Sequence, residues 1–156
     1  FSLIYGNVCF IDHNLIPLRT LNLNNEILSE KYGFGRPYHP VHTETFHNAK
    51  LFFKSCFPIN LNYHICGDSW LMLKLMKKYK IRYIDLDITK MSLTGMSFNW
   101  RNSIAIHNQC RKICKELNIY VPFMNICDSF IRGYIKLLLS FVITIKMQIK
   151  INQILN

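Results

Sequence analysis

Residues 63–87 read YHICGDSWLMLKLMKKYKIRYIDLD, and the change of period inside them decides the fold class. Asp68 is placed to cap a helix running through Trp70, Leu71, Leu73, Leu75 and Met76 to Tyr79. Lys74, Lys77, Lys78 and Lys80 fall toward its C-terminal end, where cations suit the helix dipole. From Lys80 to Lys90 the period drops to two: Ile81, Tyr83, Asp85 and Asp87 alternate with Arg82, Ile84, Leu86 and Ile88, as in a strand.

Upstream, Ser2 to Ile11 (SLIYGNVCFI) reads as a buried strand with a break at Gly6-Asn7, ended by Asp12-His13-Asn14. Pro17 to Tyr32 is mixed, punctuated by Asn22, Asn24 and Asn25, with a short helix expected across Glu26 to Lys31. Gly33 to Pro37 and His39-Pro40 are loop chemistry. Val41 to Phe46 (VHTETF) is a strand candidate, and Asn48 to Phe53 leads on to Pro58. Downstream, a turn around Gly95 precedes a helix from about Asn102 to Leu117. Strand, loop, strand, helix, strand, helix is the order of an α/β or α+β domain.

The chain has 156 residues and 18.5 kDa, enough for one domain with a real core. Half of its residues are hydrophobic and 18% charged, which excludes a disordered chain. Nineteen Lys+Arg against nine Asp+Glu give a net +10, so nucleic acid, nucleotide or anionic lipid is an expected partner. Phe1 stands first, with no basic n-region ahead of an apolar run, so no signal peptide is expected and the chain is read as beginning mid-protein. The six cysteines form no CxxC pair and read as reduced thiols of a cytosolic protein. His107, Cys110 and Cys114 share a helical face, but no fourth ligand stands near, and burial is the plainer account of the cysteines.

Residues 129–151 contain no acidic residue and are too short of uncharged length to cross a bilayer. On a helix, Arg132, Lys136, Lys146 and Lys150 fall on one side, and Tyr134, Leu137, Leu138, Phe141, Val142 and Ile145 on the other. That is the pattern of an interfacial helix. A core-packing amphipathic helix, or a strand over Phe141 to Ile145, is the other reading.

Three constellations could carry chemistry. Asp68 is either a helix cap or a general base that takes the proton of an attacking hydroxyl. Asp85-Leu86-Asp87 would present two carboxylates on one strand face to a hard cation, although a polar strand face is the simpler reading. His39, His42 and His47 with Glu44 could bind a transition metal, alternation sending His42 and Glu44 to one face. A histidine that orders a loop is the plainer account.

Taken in order, YHPVHTETF, the Phe-Pro-Ile-Asn spacer, YHICGDSWLMLKLMKKYKIRYID and LTGMS resemble the C-terminal half of a family 2, GT-A-type glycosyltransferase. In that family an "HQxxF" segment precedes a helix opened by "A-A-D-Y-D/E-L", then a strand and a "G-G-x-S" loop. Here His42 to Phe46 take the first place, Cys66 to Leu71 the second and Thr94 to Ser97 the last. YGNVCFID resembles the "Y-G-D" strand before them. Trp70 replaces the second acidic residue of the helix motif, and Thr94-Gly95 replaces the double glycine.

The resemblance covers about residues 3–100. It implies a partial GT-A, nucleotide-diphospho-sugar transferase-like α/β domain over residues 1–125, followed by a basic amphipathic tail at 126–156. It makes Asp68 the catalytic base of an inverting transfer from a nucleotide-sugar donor to a glycan or lipid-linked acceptor. His42, Gly67, Trp70, Gly95 and Ser97 become acceptor-side or substrate-binding residues. A divalent metal, Mg or Mn, would serve the full-length enzyme through an Asp-x-Asp upstream of these residues, leaving no metal ligands in this chain and a fragment inactive alone. The implied location is cytoplasmic and peripheral at the inner face of the cell membrane, with an anionic membrane surface as partner and no nucleic acid. The alternative is a non-catalytic basic protein that holds anionic membrane or RNA, with KKYKIRY supplying aromatics between cations. A metal-dependent hydrolase built on His39, His42 and Asp68 is a third.

Overall fold

The computed structural model describes residues 3–12, 14–22, 24, 32–56, 62–92, 96–144, 147–148 and 151. Among them the chain forms a mixed α/β fold, a four-stranded mixed sheet with four helices. Strand β1 (Leu3–Ile11) is central. Strand β6 (Ile81–Ser92) pairs parallel to it along one edge. Strands β2 (Pro17–Leu21) and β5 (Thr45–His47) pair antiparallel with its C-terminal and N-terminal halves. Since the same β1 residues also face β6, β2 and β5 share the opposite edge. A strand hydrogen-bonded on both edges and covered on both faces needs a continuous apolar run, and LIYGNVCFI supplies it.

The glycine in that run is a steric requirement. The β1–β6 register slips between Tyr5 and Asn7 and again between Asn7 and Val8, so that Tyr5 faces Tyr83 while Val8 faces Thr89. The surplus residues bulge out of β6, and a Cβ built on Gly6 would lie 2.5 Å from the Leu86 carbonyl oxygen. Asn7 fills the irregularity: its Nδ2 donates to Asp85 Oδ1 at 3.0 Å, and the Tyr83 hydroxyl donates to Asn7 Oδ1 at 2.7 Å.

Side-chain alternation sends Leu3 and Tyr5 to one face of β1 and Val8 and Phe10 to the other. The first face carries the main core, closed by helix α2 (Gly67–Lys78) through Trp70, Leu71, Met72 and Leu75, and by helix α3 (Ser103–Glu116) through Ile106, Cys110 and Ile113. The smaller cluster on the second face joins Val8 and Phe10 to Leu18, Val41, Met91 and Phe98.

Several expectations shift. Pro17–Leu21 is a strand, helix α1 occupies Ala49–Cys56, and residues 41–44 are not strand: His42–Glu44 form a 3-10 turn and only Thr45–His47 join the sheet. Gly33–Pro37 tightens into a hairpin between β3 (Tyr32–Gly33) and β4 (Arg36–Pro37), with Phe34 and Gly35 both at positive φ (53° and 71°) as a two-residue turn requires. The helix expected across Glu26 to Lys31 lies outside the described residues. Helix α4 runs Phe123–Leu139, across the 125/126 division, and packs on α3. It ends before the expected Lys146–Lys150 turn of a 129–151 helix, and both lysines lie outside the described residues. No helix among the described residues is long and apolar enough to cross a membrane.

Candidate active site

The two segments singled out by sequence, the His42 turn and the opening of α2, are joined by a buried histidine between them. His39 Nδ1 lies 2.7 Å from the Pro40 carbonyl oxygen, which can only accept, so Nδ1 carries the proton. Its Nε2, 2.9 Å from Ser69 Oγ, then accepts from the Ser69 hydroxyl. Burial holds the His39 pKa well below the usual imidazole range, which fits a neutral ring. His39 thus orders the loop. Its bond ends one residue from Asp68.

Helix α2 begins two residues earlier than expected: Cys66, not Asp68, is the N-cap position, its side chain makes no cap bond, and Asp68 sits in the first turn. The start is tied down from α3, where Gln109 Oε1 accepts from the backbone N–H groups of Ile65 and Cys66 at 3.2 and 3.1 Å. Asp68 is exposed, and one carboxylate oxygen takes the Ser69 N–H at 2.7 Å. Gly67 is half-buried, and a Cβ there would meet nothing among the described residues within 4 Å. The opening of α2 lies against the His42–Glu44 turn, and Thr43 of that turn reaches Met91 in the C-terminal half of β6, which sets the opening on the C-terminal side of the parallel strand pair. In open α/β sheets that is the side where ligands bind.

His42 is exposed at the start of its turn, its ring 5.3 Å from that of His47. Glu44 lies on the other side, fully buried, its Oε1 accepting from the Val41 N–H at 2.8 Å while Oε2 finds no partner among the described residues. The 3-10 turn separates the two side chains that strand alternation would have put on one face. Burial pushes the Glu44 carboxyl up to about 7.

Trp70 is buried, not open to a ligand: its indole N–H donates to Glu116 at 2.8 Å and Lys74 stacks over its ring. Ser97 is exposed in a 3-10 turn, Met96–Phe98, after β6. Gly95 lies outside the described residues. Among the described residues no hydrogen bond joins His42, Asp68 and Ser97 to one another. His39, Ser69, Gln109 and Glu44 do the positioning. Only His39 carried a sequence signal for it, a histidine between prolines.

The possible metal sites do not assemble. Asp85 Oδ1 is occupied by Asn7 and lies 3.0 Å from the Tyr83 hydroxyl, contacts that lower its pKa, and the bulge in β6 interrupts the alternation that would pair it with Asp87. His107 bonds Ser129 at 2.8 Å, Cys110 lies 3.7 Å from Cys66 and Cys114 faces the Gly35 carbonyl oxygen. No group of three His, Cys, Asp or Glu among the described residues is placed to hold a metal ion. The five cysteines whose side chains are described are free thiols.

What these elements define is a mixed α/β domain with an exposed carboxylate on the first turn of a helix beside its parallel strand pair. No protein family, curated protein or solved structure matches the chain.

Proposed function

We propose that the chain is the acceptor-side half of an inverting glycosyltransferase of the family 2, GT-A type, with Asp68 as its base. The observation that carries this reading is the exposed Asp68 carboxylate at a helix opening that His39 and Gln109 fix from two sides, with open space beside Gly67. The order of motifs around it, HTETF, then CGDSWL, then TGMS, supports it independently.

In the reaction, an Asp68 oxygen accepts the proton of an acceptor hydroxyl as that oxygen bonds the anomeric carbon of a nucleotide-activated sugar. The nucleoside diphosphate leaves with the electron pair of the broken bond, and the anomeric configuration inverts. A positioned base of this kind is worth roughly 10²- to 10⁴-fold in rate. His42 and Ser97 are the acceptor contacts in this proposal. Trp70 acts from the core, by holding α2 to Glu116. A divalent metal would neutralise the leaving diphosphate, but the residues described here do not fit one, and no step is assigned to it.

The test is release of nucleoside diphosphate from a panel of nucleotide sugars by the gene product that carries these residues, with membrane extract as acceptor source. Sugar-dependent release supports the reading. No release with any donor, by protein that is folded, contradicts it.

A further inference from the structure

Helix α4 is docked with its faces reversed. The side packed on α3 is small and polar: Ser129 is buried on His107, Gly133 approaches Ile104 and the Ser103 backbone, and Ser140 is buried at the C-cap. Lys136 is half-buried on the same side, its ammonium 5.8 Å from the Phe34 ring and 5.9 Å from the Trp100 ring. The opposite side is apolar and exposed. Met124, Ile131, Tyr134, Ile135 and Leu138 fall within an arc of about 100°, and Val142, 85% exposed, continues it past the helix end. A surface helix ordinarily buries its apolar stripe, and an exposed patch of this extent marks an interaction site.

We propose that this outward face of α4 lies in the interfacial region of an anionic lipid bilayer, with the helix axis parallel to the surface. At 17 residues α4 is about 26 Å long, and no described helix is long and apolar enough to span, so the face rests on the membrane without crossing it. Charge selects the occupant. Asp128, the sole acidic residue after Glu116, is paired with Arg132 at 2.8 Å, so the sequence beyond Glu116 keeps a surplus of three lysines, Lys136, Lys146 and Lys150, although Lys136 faces inward. Exposed Arg101 stands over the Phe141 ring at 6.0 Å beside the patch. Aromatic rings with adjacent cations suit the headgroup layer. A second copy would bring another +10 against the first, whereas anionic lipid attracts that charge. The inference rests on the placement of α4 and the charge of the chain, and stands whether or not Asp68 transfers a sugar.

The test is flotation of the 156-residue chain with phosphatidylcholine vesicles, with and without about one-third phosphatidylglycerol. Binding is expected to the anionic vesicles and to weaken with salt. The double variant Ile131→Glu, Ile135→Glu, both positions exposed, should partition at least about tenfold less with an unchanged circular dichroism spectrum. An Ile135→Trp reporter should shift its emission to the blue on anionic vesicles. Failure of the wild-type chain to float at low salt, or equal flotation of the glutamate variant, overturns the proposal. So does a dimer that the glutamate pair dissociates while vesicles bind nothing, because the face would then belong to a second copy.

Discussion

His39 and Ser69, thirty residues apart, share a buried hydrogen bond of 2.9 Å that fixes the His42 turn against the helix carrying Asp68. Ser69→Ala removes the donor that, among the described residues, reaches His39 Nε2, and leaves that buried nitrogen without it. The expected cost is about 1–3 kcal/mol in urea unfolding. An unchanged midpoint would mean that the ring re-pairs without Ser69.

Two glycines should respond oppositely to alanine. Gly6→Ala drives a Cβ to 2.5 Å from the Leu86 carbonyl oxygen, a backbone atom that moves only with the bulge, so a loss of about 1–3 kcal/mol is expected. At Gly133, inside α4, the nearest atom is Ile104 Cδ1 of α3 at 3.4 Å, an ordinary contact with the end of a flexible side chain. Gly133→Ala should therefore stabilise by about 0.5–1 kcal/mol through helix propensity. Thermal unfolding of the two variants reads both signs.

Glu44 gives the fold a pH dependence of defined sign. Burial raises its carboxyl from 4.5 to about 7, against the opposing Val41 N–H bond, so its contribution is fully present below about pH 4.5 and is lost as pH rises through about 7. His39, His47 and His107 run the other way. Burial lowers all three, so their contribution is lost as pH falls below about 6.5. Above pH 6.5 the Glu44 effect remains, about 0.5–1 kcal/mol by pH 8. Glu44→Gln keeps the acceptor for Val41 N–H and should flatten the alkaline limb while steepening the acidic one, where Glu44 no longer offsets the histidines. Identical alkaline limbs in variant and wild type would remove Glu44 as the cause.

Helix α2 and strand β6 were legible because a change from helical to strand period is local, and the residues that report it are neighbours in the chain. Roles that depend on distant partners were not. Trp70 reads, through the resemblance, as an acceptor-side residue of the Asp68 motif until Glu116, 46 residues on, takes its indole N–H, and nothing near Ile65 or Cys66 announces that Gln109 will cap them. The VHTETF alternation failed because Glu44 folds back onto the Val41 N–H and converts strand into a 3-10 turn. For α4 the pattern showed two faces but not which one docks. That choice depended on Gly133 and Ser129 meeting Ser103, Ile104 and His107.

The role of Asp68 is tested most directly by Asp68→Asn in the gene product that carries these residues, measured as sugar transfer from its preferred nucleotide sugar. The side chain is exposed and its nearest bond is to its neighbour's N–H, which an amide oxygen also accepts, so the variant should fold with an unchanged unfolding midpoint. The base assignment predicts that its turnover falls by about 10²-fold or more; near-normal turnover by the folded variant would contradict it.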